Sequence, residues 1–175
     1  AVWTRNNRAE AQKILKKLLK ERIPNRNQVA KVYWLLGAMD EEAEQINKAL
    51  VNYKKAISIK FKDEDLRDKL YWAIGFNQYL LKDFKAAADS FLAFVDETKS
   101  KTSKLRYKYF AARSLIKTGK NEMANELLQN LAEEDSFGYY GIQAHRELNI
   151  PFTPLPEDNK IEANYYNEFE WLLAL

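Results

Sequence analysis

Apolar residues recur along this chain at three- and four-residue intervals almost from end to end, the period of helices that each bury one face. Ile14, Leu15, Leu18 and Leu19 form a first stripe, stopped by Pro24 and the Asn25–Asn27 stretch. Val29, Val32, Tyr33 and Leu36 start a second helix, and Ile46, Ala49, Leu50, Tyr53 and Ile57 line a third, with a turn and helix start expected at Asp40 and Glu41. Leu66, Leu70, Ala73 and Phe76 open a fourth, a turn follows at Lys82–Asp83, and Ala87, Phe91, Phe94 and Val95 face inward after it. Leu105, Tyr109, Ala112, Leu115 and Ile116 precede a turn at Thr118–Lys120, and Met123, Ala124, Leu127, Leu128 and Leu131 form its partner helix. Asp63 and Asp83 are expected N-caps, because a short carboxylate accepts from free backbone N–H groups. Gly119 suits a left-handed helix stop.

The stripes repeat. A small residue, then another twelve places on, then a large one four further, occur as Gly37–Ala49–Tyr53, Gly75–Ala87–Phe91 and Ala112–Ala124–Leu128. Ala11 and Leu15 supply the second half of an earlier unit, so consecutive units are offset by 38, 38 and 37 residues. A period of this size with helical spacing inside it predicts an all-α fold, a right-handed superhelical stack of helical hairpins. The expected units lie near 1–26, 27–62, 65–100 and 102–133, followed by a helix at 136–148 capped by Ser136. Three of the four prolines fall within Pro151–Pro156, so 151–160 reads as a connection, because the residue before a proline is pushed out of helical geometry. A terminal helix is expected at 161–175. It finishes on the apolar run Trp171–Leu175, which suggests that more protein follows it.

Composition narrows the functions open to such a stack. The chain has no cysteine, which excludes disulfides and thiolate metal sites, and no apolar run approaches the length of a membrane span. The net charge of +3 conceals an asymmetry: residues 1–132 carry +10 and residues 133–175 carry −7. The basic part could meet an anionic polymer or the chain's own acidic end. No nucleic-acid reading motif accompanies it, and no nucleic-acid partner is expected.

No catalytic constellation stands out. His145 is the single histidine, too few for a two-histidine metal site or for a triad without a nucleophile elbow. The FGYYG segment lacks the lysine and spacing of a phosphate loop. The carboxylate clusters Glu41–Glu42, Asp63–Asp65 and Glu133–Asp135 sit at helix ends, where capping and solvation explain them. Neither a cofactor nor a metal is expected, and no catalytic residue is assigned.

The small and large anchors resemble those of tetratricopeptide-like repeats over residues 9–133. The units are longer than that family's usual 34 residues, and Trp34 and Trp72 stand one place later than its pattern. A narrower likeness lies at 104–148. Tyr107, Tyr109, Ala112–Arg113, Leu115, Gly119, Ala124, Leu127–Leu128 and Leu131, then the SFGYYGIQAHREL helix before a proline-containing connection, are similar to the helical region of soluble lytic transglycosylases. Those enzymes are periplasmic or outer-membrane-associated. They cleave peptidoglycan glycan strands to 1,6-anhydro products, using one glutamate as acid and then base in a downstream lysozyme-like domain. Their Glu-Ser and Gly-Leu-Met-Gln motifs are absent here. The resemblance implies a non-catalytic scaffold, with peptidoglycan and the downstream catalytic domain as partners and Arg106, Lys108, Arg113 and Tyr139 as the polymer-contacting surface. The alternative is a protein-interaction adaptor of a bacterial envelope complex, holding a partner in its concave face.

Overall fold

The computed structural model describes residues 7–21 and 25–151. Eight helices occupy them: α1 (Arg8–Lys20), α2 (Arg26–Glu42), α3 (Ile46–Ile57), α4 (Glu64–Leu80), α5 (Phe84–Glu97), α6 (Lys101–Lys117), α7 (Asn121–Glu134) and α8 (Tyr139–Leu148). No strand occurs among the described residues. The fold is all-α: α2–α3, α4–α5 and α6–α7 pair as hairpins, and each second helix also packs on the next hairpin's first. The expected connection beyond Pro151 and the expected terminal helix at 161–175 lie outside the described residues.

Local chemistry starts and stops these helices. Asp63 accepts from Leu66 N–H at 2.9 Å and Asp83 from Ala86 N–H at 3.2 Å, as their positions in the sequence imply, while Asn25 and Ser100 cap α2 and α6. The first helix of each hairpin ends on a left-handed residue, at Glu44 (φ 58°), Lys82 (φ 61°) and Gly119 (φ 77°), and α8 ends likewise at Asn149 (φ 54°). The next N–H then turns back five residues: Gln45 to the Asp40 carbonyl at 2.8 Å, Asp83 to Gln78 at 3.0 Å and Lys120 to Leu115 at 3.0 Å. These paired bonds satisfy carbonyls that the helix end would strand, and they set one hairpin geometry three times.

Two expected boundaries differ. Asp40 and Glu41 form no helix start; they lie inside the last turn of α2, and the turn falls at Ala43–Gln45. The last helix begins at Tyr139 rather than Ser136, whose hydroxyl donates to the Glu133 carbonyl. Asp135 caps it from a distance, its carboxylate accepting from Tyr140 and Gly141 N–H at 3.1 and 3.2 Å. A Cβ on Gly138 would collide with that carboxylate, so the reach depends on glycine there.

The repeat anchors are the packing contacts. Tyr53 and Phe91 lay their rings on Gly37 and Gly75, close enough that a Cβ on either glycine would stand 2.5 Å from the ring. In the third hairpin Ala112 faces the smaller Leu128, and both are fully buried. Ala49, Ala87 and Ala124 are 0% exposed, small where paired helices approach closely.

Candidate functional site

First helices touch across the hairpins, α4 on α6 and α6 on α8, while among the described residues no pair of second helices is as closely joined. The stack therefore curves toward its first helices, and their face is the inner one. Six residues before the anchors Gly37, Gly75 and Ala112 stand Lys31, Lys69 and Arg106; three before them stand Trp34, Trp72 and Tyr109. The curvature brings each cation over the previous hairpin's aromatic ring. Lys69 Nζ lies 5.9 Å from the Trp34 centroid and the Arg106 guanidinium 4.3 Å from that of Trp72. Trp72 itself is held rigidly, stacked on Phe76 at 4.8 Å and edge-on to Phe110 at 5.0 Å. Both tryptophans remain half-buried, each with one part of the ring in the core and one at the surface. A cation set on such a ring is attracted by its quadrupole and keeps its outer side open for a ligand.

Of the four surface residues expected from sequence, the structure places Arg106 in this column and the others outside it. Lys108 is paired with Glu134. Arg113 pairs with Glu147 at 3.5 Å, and the Tyr109 hydroxyl donates to the same carboxylate at 3.2 Å. Tyr139 is 67% exposed at the start of α8, edge-on to Tyr140 at 5.0 Å. By contrast Lys31, Lys69 and Arg106 have no carboxylate partner within 4.0 Å among the described residues. Sequence reading missed Lys31, Lys69 and the tryptophans as surface, although their fixed distance from the small anchors is a signal it could have used.

Elsewhere the polar groups serve the fold. Asp68 accepts from Thr98 and Ser103 hydroxyls, and its backbone carbonyl accepts from Tyr107 at 2.9 Å, tying α4 to α6. Among the carboxylate clusters, Glu41 accepts from the Tyr53 hydroxyl, Glu42 pairs with Arg8, Asp63 and Asp135 cap helices, and Glu64 pairs with Lys99. These contacts push tyrosines up rather than prepare an acid or base. Burial, then the Asp68 charge, raises Tyr107 to about 12. Burial raises Tyr109 to about 12 against the opposing pull of Arg113. His145 lines an open cleft of about 420 Å³ with Phe137 and Ile150. Among the described residues, no group of three or more His, Cys, Asp or Glu side chains could hold a metal, and no helix is long and apolar enough to cross a membrane.

No curated protein and no solved structure matches the chain. The family described as Iml2/Tetratricopeptide repeat protein 39 matches residues 4–135, which include every hairpin and the whole column of cations and rings. The chain belongs to the Iml2/Tetratricopeptide repeat protein 39 family.

Proposed function

We propose that this chain is a protein-docking scaffold that holds a partner segment along its first-helix face. The observation that carries the reading is the repeated column of Lys31, Lys69 and Arg106 beside Trp34 and Trp72, on the inner side of a tetratricopeptide-like stack. A rigid, curved face with half-buried aromatics is suited to hold an extended or helical segment, because little of it must be ordered on binding.

The lytic-transglycosylase reading is the weaker one. The family match spans most of the stretch on which that resemblance rested, and gives it no support. Two of the four residues assigned to the wall polymer, Lys108 and Arg113, are held in intramolecular ion pairs. A periplasmic or outer-membrane setting, with peptidoglycan and a catalytic domain as partners, would follow from that reading alone.

Site-specific photo-crosslinking in cells tests the proposal. A photoreactive residue at Lys69 should yield discrete adducts with a partner protein, whereas the same residue at Lys85, on the exposed side of α5, should not. Equal adducts from both positions, or adducts from Lys85 alone, would refute a first-helix docking face.

A further inference from the structure

The three cations of the inner column differ from the other basic residues of α6 in what they leave unsatisfied. Lys108 and Arg113 meet Glu134 and Glu147, but Arg106, on the same helix, meets aromatic rings instead: Trp72 at 4.3 Å and Tyr107 at 5.4 Å. Its Nε is buried without a hydrogen-bond partner among the described residues. Lys69 sits over Trp34 in the same register one repeat earlier, and Lys31 is exposed one repeat before that. An unpaired cation fixed over a ring at each repeat is an arrangement that packing alone does not require. Charge complementarity calls for an anion there.

Spacing chooses among anions. Adjacent packed helices stand roughly 8–10 Å apart, so the column offers about one positive charge per 10 Å. Single nucleic-acid strands carry a charge roughly every 3.4 Å, far denser than the column can neutralise. The same face also carries carboxylates, Asp68 and Glu147, which would repel a dense polyanion. A peptide in extended form rises about 3.3 Å per residue, so an acidic side chain at every third position meets the column in register. Apolar or aromatic residues between the acids would lie against Trp34, Trp72 and Phe76.

We propose that the first-helix face recognises an acidic peptide segment whose Asp or Glu side chains, about three residues apart in an extended strand, pair with Lys31, Lys69 and Arg106 while intervening apolar residues contact the tryptophans. This deepens the docking reading and rests on it. The recognition is of side-chain carboxylates, so it does not need the end of the partner's chain.

The test selects binders from a random 16-residue peptide display library on the full chain, then measures Kd for the selected peptides with amidated C-termini. Selected sequences should be enriched in Asp and Glu interleaved with apolar residues. Lys69→Gln and Arg106→Gln should each weaken binding about tenfold, and Lys85→Gln less than twofold. Raising NaCl from 50 to 300 mM should weaken it several-fold. Arg106 is half-buried, so its variant is checked by thermal melting; the exposed Lys31→Gln and Lys69→Gln pair keeps the test valid if Arg106→Gln unfolds. Neutral or basic selected peptides, failure to select any, or indifference to the column variants would overturn the acidic-segment proposal. So would tighter binding to poly(U) RNA or to peptidoglycan sacculi than to the selected peptides. Photo-crosslinks from Lys69 in the face of such a result would leave the docking surface standing and remove only the acidic specificity.

Discussion

Exchanging the Gly75–Phe91 pair for the Ala–Leu pair of the third hairpin tests whether each repeat is held by one matched contact. A Cβ at position 75 would lie 2.5 Å from Phe91 Cε1 and 2.7 Å from Cζ. The ring is 0% exposed and boxed in by Trp72, Tyr107 and Phe110 at centroid distances of 6.0, 6.0 and 5.8 Å, so it has nowhere to swing. Overpacking of this kind costs about 1–3 kcal/mol. Alanine's better helix propensity returns up to ~1 kcal/mol. Gly75→Ala should therefore destabilise by roughly 1–2 kcal/mol. Phe91→Leu alone opens a void and loses ring contacts, at a cost of about 1–3 kcal/mol. In the double variant the new Cβ enters the space the ring has left, so the combined loss should fall short of the sum by roughly 1–2 kcal/mol. Urea denaturation followed by circular dichroism and by tryptophan fluorescence, with Trp72 beside the site, measures all four corners of the cycle. Coincident transitions license a two-state treatment. Additivity within ~0.5 kcal/mol would show that the two positions do not sense each other, and would refute the matched-pair account.

Other consequences follow from single contacts. Lys82 holds φ 61° at the end of α4, where Gly119 stands in the next repeat, so Lys82→Gly should stabilise by about 0.5–1 kcal/mol in the same denaturation assay. Asp135→Ala removes the acceptor for two N–H groups at the start of α8 and should cost about 1–2 kcal/mol, with faster amide exchange confined to Tyr140 and its neighbours. Tyr107 and Tyr109 are raised to about 12 from 10.0, so the folded state holds protons that the unfolded chain releases above pH 10. Their contribution to stability should be complete below pH 10 and lost as pH rises toward 12, seen as a falling urea midpoint alongside phenolate absorbance; a midpoint unchanged across that window would contradict it.

The helical class, the repeat length, the caps at Asp63 and Asp83 and the stop at Gly119 were legible in the sequence because each depends on neighbours within a turn or two. The small and large anchors were legible too, since a repeated contact leaves a repeated residue. Ser136 was misleading for a related reason: it has the right side chain for a cap, but the turn between α7 and α8 points Asp135 at the N–H groups of residues 140 and 141 instead. Nothing local announces that path. The candidate surface was even less legible, because the sequence contains 28 basic residues and gives no sign of which are spoken for. Lys108 finds Glu134 across 26 positions and Arg113 finds Glu147 across 34, pairings that exist only once the helices stack. Sequence thus determined that hairpins form and where their small contacts lie, through short-range periodicity and backbone chemistry. The tertiary structure alone decided which charges are consumed and which remain open beside a ring, because ion pairing depends on distance in space and these distances are set by how one hairpin rests on the next.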